Sequence, residues 1–411
     1  MQAINQERVN NLIQGLAQFG KNEEGKGITR LAYSELDRKA QDWLLSQITD
    51  LDLEITEDAV GNVFLLRKGE DESLPPVAMG SHLDTVIQGG PYDGMTGVVG
   101  ALEIMHMLKD EKLSRGLLTI IFRAEESARF NNATMGSKLM AGKTTVEKLS
   151  NGTRKGDISF PEALKAWGCD PDRAAEAIKK AGCFDSFWEL HIEQGKVLEE
   201  TGEQIGIVKS IAAPTRFKIF INGTADHSGA TPMGFRHDAL VSAAKLILAV
   251  EKAATEEKSF GTVATVGVID IEPGTINVVP GKATLFVDLR GIDVESIARA
   301  LKAIEKAESE VAASDGVEIT QQVLVQDKPV GLNPELVNIL DEICKADGVK
   351  YRIMPSGAGH DAMHMASLVP TCMVFIPCKG GISHNPAEYA KLEDIVKGIE
   401  IMAKAVYRRA K

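Results

Sequence analysis

The segment Val77-Ala78-Met79-Gly80-Ser81-His82-Leu83-Asp84-Thr85 begins as a short apolar run and ends in polar residues. Such a run predicts a strand buried inside a parallel sheet, where helices cover both faces. Polar residues that follow the strand lie at the edge where open α/β sheets bind their ligands. The segment therefore predicts an α/β fold and makes His82 and Asp84 candidate site residues.

Three other segments place polar residues at or after the end of a predicted strand. The pair Glu125-Glu126 follows the strand Leu117 to Arg123, and His191 lies in a third strand. The segment Gly381-Ile382-Ser383-His384-Asn385-Pro386 comes after a fourth strand at Thr371 to Ile376. Because the carboxyl ends of parallel strands share one edge, we expect the four segments to converge.

The middle of the chain has a different pattern from its two ends. Between residues 213 and 329, strands and helices follow the order β-α-β-β-α-β, which is the ferredoxin-like unit. Residues 1–212 and 330–411 are expected to form one discontinuous α/β domain, into which the second domain is inserted. The sequence thus predicts a two-domain α/β protein, with a ligand site in the cleft between the domains.

Composition restricts the classes of function. The 411 residues include 46 Lys and Arg against 58 Asp and Glu, a formal net charge of −12, without a long basic run. Nucleic acid and acidic membrane surfaces are therefore not expected as partners. The five cysteines form no CxxC pair, and the amino terminus lacks the basic and apolar regions of a signal peptide. These features favour a cytoplasmic protein that acts on small molecules or peptides.

Imidazole and carboxylate side chains are the candidates for a metal site. Any one histidine near a strand end is more often a hydrogen-bonded structural residue, and a salt bridge is the alternative explanation for Glu125 and Glu126. Several such residues together favour metal binding, and mixed nitrogen and oxygen ligands suit Zn, Mn, Co or Ni. The candidate ligands are His82, Asp93, Glu126, His191 and His384.

Two carboxylates near these ligands have predicted roles of a different kind. Asp84 is two residues from His82, and we expect it to accept the second imidazole N–H and so fix the tautomer of that ring. Glu125 and Glu126 are adjacent and point in different directions, so one can bind metal while the other faces the substrate. This division suits metal-assisted hydrolysis, in which a free carboxylate transfers the proton of a water molecule.

These segments resemble those of the aminoacylase/carboxypeptidase metallopeptidase family, in the hydantoinase/carbamoylase branch that includes N-carbamoyl-L-amino acid hydrolases and allantoate amidohydrolases. The resemblance covers essentially the whole chain, and the candidate ligands occur in the family's order. It implies two divalent metal ions per subunit and Glu125 as the general base. Asp93 would bridge the ions, with His82 and His191 on one and Glu126 and His384 on the other.

The resemblance also covers the inserted domain, which it identifies as a dimerisation and lid domain. His227, in Ala225-Asp226-His227-Ser228-Gly229, matches a residue that reaches the active site of the neighbouring subunit and stabilises an oxyanion there. A turn at a strand end is the alternative explanation for this segment. Arg290 suits a two-point grip on a carboxylate. The positions that match substrate-binding residues are Gln194, Arg216, Asn277, Arg290 and Gly359.

The function that the resemblance implies is hydrolysis of the carbamoyl C–N bond of a small carboxylate-bearing substrate, with release of ammonia and carbon dioxide. The peptidase branches typically place a carboxylate at the position of His191, so the sequence favours ureides over peptides. Asp226 replaces the usual Asn, and Pro214-Thr215 precedes Arg216 where the allantoate enzymes commonly carry Gln-Arg. An N-carbamoyl-L-amino acid and allantoate both stay open as substrates, and an aminoacylase or dipeptidase is the alternative activity.

A nucleotide-binding protein without catalytic activity is an alternative from another class. The segment Gly357-Ala358-Gly359-His360-Asp361-Ala362 matches the GxGxxG/A pattern of dinucleotide-binding proteins. It lies near the end of the chain rather than in a first βαβ unit, and no acid ends a following strand about 20 residues later. The sequence therefore disfavours this alternative.

Overall fold

A computed structural model describes residues 1–22 and 25–411 of the chain. The helices are α1 (Gln6–Leu16), α2 (Glu35–Ser46), α3 (Met95–Met107), α4 (Met135–Met140), α5 (Val146–Leu149), α6 (Phe160–Trp167), α7 (Val197–Thr201), α8 (Ala239–Glu256), α9 (Val294–Asp315), α10 (Pro334–Ala346), α11 (Ala362–Met365) and α12 (Leu392–Ala410). Short 3₁₀ segments cover Ser150–Gly152, Pro171–Ala177, Lys258–Phe260 and Lys379–Gly381.

Strands occur throughout the chain. They are β1 (Glu54–Glu57), β2 (Val63–Arg67), β3 (Val77–His82), β4 (Leu117–Phe122), β5 (Ser186–Ile192), β6 (Ile205–Ile211), β7 (Ala213–Asn222), β8 (Asp226–His227), β9 (Val263–Glu272), β10 (Val278–Val279), β11 (Lys282–Gly291), β12 (Glu318–Gln326), β13 (Val330–Gly331), β14 (Tyr351–Ser356) and β15 (Thr371–Ile376). The chain divides into two compact units, Met1–Lys209 with Gly331–Lys411 and Ser210–Val330.

A large mixed sheet forms the centre of the first unit. Its strand order is β1-β2-β4-β3-β5-β15-β6-β13, and β14 pairs with β6. The four neighbours β4, β3, β5 and β15 are parallel to one another, whereas the strands on either side of them are antiparallel. This arrangement confirms the predicted α/β fold class and brings the carboxyl ends of four strands to one edge.

The parallel strands are buried because helices cover both of their faces. Every residue of β3, β4, β5 and β15 is buried, as their predominantly apolar sequences predict. Helix α3 is also buried along its whole length, and it begins at Met95, directly after Asp93 and Gly94. The end of β3 and the start of α3 therefore anchor the two ends of the segment that carries Asp93.

The second unit contains a four-stranded antiparallel sheet in the order β12-β7-β11-β9. With helices α8 and α9, its elements follow the β-α-β-β-α-β order along the chain. Buried and partly exposed positions alternate along β7, so one face of the sheet packs into an apolar core with residues of the two helices. Arg216, Asp288 and Arg290 lie on the other face, because Arg216 and Asp288 are cross-strand partners and Arg290 is two residues beyond.

Two further properties bear on the predicted class of protein. In the described ranges 1–22 and 25–411, no helix combines the length and apolar character needed to cross a membrane. All five cysteines are free thiols. Burial raises the pKa of the Cys372 thiol to about 12, so this side chain is protonated at neutral pH.

Candidate metal centre

Candidate ligands from four strand-end segments meet at one edge of the large sheet. His82 is the last residue of β3, and His191 lies one residue before the end of β5. Glu125 and Glu126 follow β4, and His384 follows β15. Because the four strands are parallel neighbours, their ends place these side chains side by side.

The first group of possible ligands consists of His82, Asp93 and His191, all buried. The Nε2 atoms of His82 and His191 lie 3.5 Å and 3.1 Å from Asp93 Oδ1. The donor atoms of the group all lie within 4.8 Å of one another. Two imidazole nitrogens and a carboxylate oxygen thus face a common point.

The second group consists of Asp93, Glu126 and His384. His384 Nε2 lies 3.2 Å from Asp93 Oδ2 and 3.4 Å from Glu126 Oε1. Asp93 therefore directs one carboxylate oxygen toward each group. A carboxylate placed in this way can bridge two metal ions.

The carboxylates and imidazoles of the two groups shift one another's pKa values, because several ionisable side chains lie close together in a buried site. The ion-pair partners of Asp93 are three histidines, of which His384 and His191 lie nearest. Although burial opposes ionisation, the His191 imidazole holds the pKa of Asp93 well below its usual range. Burial, reinforced by Asp93, raises the pKa of Glu126 to about 8, and the hydrogen bond with Asp93 raises the pKa of His384 to about 9.

This donor set fits a divalent metal ion. Cations bound at the two groups would take the place of the protons on Glu126 and His384 and would balance the buried carboxylates. Imidazole nitrogens and carboxylate oxygens in combination are ligands for Zn, Mn, Co and Ni. The chemistry of the site therefore supports metal binding and does not select one of these metals.

Glu125 lies beside the first group rather than inside it. Its Oε2 is 3.7 Å from His82 Nε2, and the side chain is largely buried. Burial raises the pKa of Glu125 well above its usual range. A buried carboxyl group with a raised pKa is suited to exchange a proton near neutral pH.

Asp84 differs from the prediction in the partner that it binds. The backbone carbonyl of Asp84 lies 3.0 Å from His82 Nδ1, whereas its carboxylate oxygen Oδ1 lies 3.7 Å from the same nitrogen, beyond hydrogen-bond distance. The carboxylate instead accepts hydrogen bonds from the backbone N–H groups of Glu125 and Glu126, at 3.2 Å and 3.0 Å. Pairing of β3 with β4 brings these amides next to Asp84. Asp84 therefore orients the imidazole through its backbone carbonyl and holds the two glutamates in place through its carboxylate.

Gln194 contacts the centre from the loop after β5. Its Nε2 donates a hydrogen bond of 2.7 Å to Asp93 Oδ2. Its Oε1 is buried and has no hydrogen-bond partner among the residues that the structure describes. Gln194, Ala124 and His384 have positive φ values of 59°, 51° and 55°, which are unfavourable for residues other than glycine. Such conformations cluster at functional sites, where the surrounding structure holds them.

His227 lies in the second unit, where backbone contacts determine its tautomer. Its Nδ1 accepts hydrogen bonds from the N–H groups of Gly229 and Ala230, at 3.0 Å and 3.2 Å. An Nδ1 that accepts carries no proton, so the neutral ring has its proton on Nε2. The side chain is exposed, and its Nε2 is therefore available as a hydrogen-bond donor.

The other predicted substrate residues of the second unit are Arg216, Asn277 and Arg290. Arg290 forms a two-point ion pair with Asp288, at 3.0 Å for each bond, and Arg216 Nε donates to the same carboxylate at 3.2 Å. One carboxylate thus holds two guanidinium groups side by side. The backbone carbonyl of Asn277 accepts a hydrogen bond from Ser228 N, which joins its segment to the one that carries His227.

Gly359 lies in the loop between β14 and α11 of the first unit. Helix α11 covers only Ala362–Met365, whereas a dinucleotide-binding GxGxxG segment opens a full helix. The neighbouring His360 packs its ring edge-on against His191, with centroids 4.6 Å apart. These contacts associate the loop with the histidines and disfavour the nucleotide-binding alternative.

Sequence reasoning missed several polar residues that surround the candidate ligands. Glu189 is buried, accepts a hydrogen bond from the Ser81 hydroxyl at 2.8 Å and another from Ala362 N at 3.1 Å. Its signal in the sequence was a carboxylate in the middle of a predominantly apolar strand, two residues before His191. Glu388 is also buried, and its only sequence signal was its position four residues after His384.

A family model, curated proteins and solved structures each match this chain over most of its length. The model of peptidase family M20/M25/M40 matches residues 78–408. The N-carbamoyl-L-amino-acid amidohydrolase of Pseudomonas sp. (strain NS671) is 36% identical over 409 residues, 98% of this chain and 98% of that protein. The ureidoglycolate hydrolase of Oryza sativa subsp. japonica is 37% identical over 387 residues, 93% of this chain and 80% of that protein. The solved structure of a hydantoinase/carbamoylase family amidase from Burkholderia multivorans has a TM-score of 0.91 at 32% identity and covers 99% of this chain and 98% of that one.

Proposed function

The chain belongs to peptidase family M20/M25/M40, and from this premise we propose that it is a metal-dependent amidohydrolase that cleaves a ureido C–N bond in a small carboxylate-bearing substrate. The observation that carries the proposal is the pair of ligand groups that share Asp93. The names of the two relatives, an N-carbamoyl-L-amino-acid amidohydrolase and a ureidoglycolate hydrolase, support a ureido substrate. An N-carbamoyl-L-amino acid and allantoate are the substrates that we propose. The products would be ammonia, carbon dioxide and the remaining amine or amino acid.

The candidate site residues of the first unit would act together in the proposed reaction. Divalent ions held by the two groups would supply Lewis-acid polarisation of the carbamoyl oxygen and lower the pKa of the attacking water. Glu125 accepts a proton from that water and then donates it to the departing nitrogen. Asp84 holds the backbone of Glu125 in place during both transfers. The buried Oε1 of Gln194, for which the described residues supply no donor, suits a substrate N–H.

The proposal assigns substrate binding and assembly to the second unit as well. His227 would donate from Nε2 to the developing oxyanion in the neighbouring subunit of a homodimer formed through the inserted domain. Arg290, with Arg216 and Asn277, would bind the substrate carboxylate, and Gly359 would line the site. We place the enzyme in the cytoplasm, with two Zn, Mn, Co or Ni ions per subunit.

Ammonium release from a substrate panel tests the proposal. The panel contains allantoate, N-carbamoyl-L-amino acids, N-carbamoyl-β-alanine and N-acetyl amino acids, each assayed with untreated enzyme, with chelator-treated enzyme and after each metal is added back. Ammonium release from a ureide that chelation abolishes and metal restores supports the proposal. Free amino acid from the N-acetyl compounds without ammonium would identify an aminoacylase instead.

Substitution Arg290→Ala is expected to raise KM for carboxylate-bearing substrates about 10- to 100-fold and to change kcat less, because a hydrogen-bonded charge pair contributes about 1.5–3 kcal/mol. The control is Arg299→Ala in the same unit, which removes a partly exposed partner of Glu257. Steady-state kinetics of both variants measure the effect. An unchanged KM in Arg290→Ala would remove this residue from the substrate site.

Metal affinity is expected to rise with pH because binding displaces protons. In the metal-free protein, Glu126 and His384 have pKa values of about 8 and about 9, so both hold a proton at pH 7. Both must lose it to bind a metal, and the affinity should therefore increase about tenfold or more per pH unit between pH 6 and 8. Competition of Mn²⁺ against a chelator at pH 6, 7 and 8 measures this slope. An affinity independent of pH would show that the two side chains are not ligands.

A further inference from the structure

Glu388 is a buried carboxylate between the segment of Asp93 and the segment of His384. Its Oε1 accepts hydrogen bonds from the backbone N–H groups of Tyr92 and Asp93, at 2.9 Å and 3.0 Å. Its Oε2 lies 3.0 Å from the hydroxyl group of Ser383. One side chain therefore joins two segments whose contacting residues are 296 positions apart in the sequence.

Two more contacts join the same segments. The Ser383 hydroxyl lies 2.9 Å from Asp93 Oδ2, so it stands between two carboxylates and can donate its proton to either. The rings of Tyr92 and Tyr389 pack edge to face, with centroids 5.7 Å apart. Besides the Glu388 carboxylate, the Ser383 hydroxyl and the Tyr389 ring therefore also contact Tyr92-Asp93, which we call the Asp93 segment. Residues 383–389 form the His384 loop.

The first and second ligand groups differ in how the fold holds them. His82 and His191 are buried in strands of the parallel sheet, where backbone pairing fixes their positions. His384 lies on a loop, half of its side chain is exposed, and its φ is 55°. Pairing between strands does not fix this loop, so its position relative to Asp93 depends on side-chain contacts.

We propose that Glu388 is a positioning residue that sets the geometry of the second group by tying the His384 loop to the backbone of Asp93. The inference rests on the proposed function, because it takes the second group to bind a divalent ion. Asp93 and His384, two of the three ligands of the second group, come from the segments that Glu388 joins. In the first group, only Asp93 comes from a segment that Glu388 contacts. Loss of Glu388 therefore weakens the second ion more than the first.

Cobalt titration of the metal-stripped protein tests the inference without measuring activity. Co²⁺ is added in steps, and its visible absorption reports the number of bound ions and the dissociation constant of each. Variant His384→Ala identifies which binding step belongs to the second group. The variants compared with the parent are Glu388→Ala and Glu388→Gln, with Glu393→Ala as a control that removes an exposed carboxylate five residues further on.

In Glu388→Ala we expect the dissociation constant of the second ion to rise about 10- to 100-fold, which is typical when a group that orients metal ligands is lost. The constant of the first ion should rise by a clearly smaller factor. Glu388→Gln keeps an oxygen for the two backbone N–H groups, while its amide can donate to Ser383. This conservative variant should therefore bind both ions within about threefold of the parent.

Thermal unfolding of each stripped variant separates positioning from a general loss of structure. Should Glu388→Ala fail to fold, Ser383→Ala decides, because it removes only the bridging hydroxyl and should weaken the second ion selectively. Equal affinities in Glu388→Ala and Glu393→Ala overturn the inference, as does an equal loss of both ions. A parent protein that binds fewer than two ions would instead contradict the two-ion centre of the proposed function.

Discussion

Substitution Glu125→Gln is expected to lower kcat by about 10²- to 10⁴-fold while both metal ions stay bound, because an amide of the same shape cannot accept and return a proton. Glu125 lies beside the candidate ligands without belonging to either group. Its replacement therefore removes the proton transfer and leaves the donor atoms of the metal centre. Metal content by mass spectrometry of the native protein and kcat on the identified ureide measure the two effects.

The control for this experiment is Glu176→Gln, which removes an exposed ion-pair partner of Arg173. It should leave both metal content and kcat close to those of the parent. If Glu125→Gln keeps more than a tenth of the parental kcat, Glu125 is not the general base. If it loses metal, the residue acts as a ligand rather than as a base.

Substitution Gly94→Ala is expected to displace His82 and so to remove the ion of the first group. A Cβ atom at position 94 would lie 2.5 Å from two ring atoms of His82, which is buried. Such a contact is too short to exist, so the ring or the backbone must shift. The φ of 67° at Gly94 also suits glycine and few other residues. A displacement of about 1 Å in a catalytic centre can cost about 10²-fold in rate, so kcat should fall by at least that factor.

The matched control is Gly202→Ala. Gly202 has a φ of 68°, but a Cβ atom there would meet no atom of the described residues within 4 Å. This variant should lose about 1–2 kcal/mol of stability from backbone strain and keep its metal ions. Metal content and thermal unfolding of both variants separate the clash from the strain. A Gly94→Ala protein with two ions per subunit would contradict the placement of His82.

Much of the fold could be predicted because its central strands have the simplest sequence pattern. The runs that become β3, β4 and β15 are predominantly apolar, since helices cover both faces of the sheet. The polar residues directly after such runs were easy to assign to the sheet edge. The convergence of His82, His191 and His384 follows from this topology.

The contacts between the segments could not be predicted in the same way. The Asp84 carboxylate binds the amides of Glu125 and Glu126 because β3 pairs with β4 in one register, and a single sequence does not specify that register. Glu388 is four residues from a candidate ligand, but its partners Tyr92 and Asp93 lie 296 and 295 residues earlier in the chain. Such contacts depend on three-dimensional packing, which periodicity does not report.

The position of β15 within the sheet has a consequence for synthesis of the protein on the ribosome. Strand β15 lies between β5 and β6, so these two strands lack their shared neighbour until residues 371–376 have been made. By then the second unit, with its own apolar core, is already complete. Pairing between strands that are far apart in the sequence is slow, and until it occurs the unpaired edges of β5 and β6 can promote aggregation of the nascent chain. Since His384 emerges later still, all five candidate ligands are present together only after more than nine-tenths of the chain has been translated.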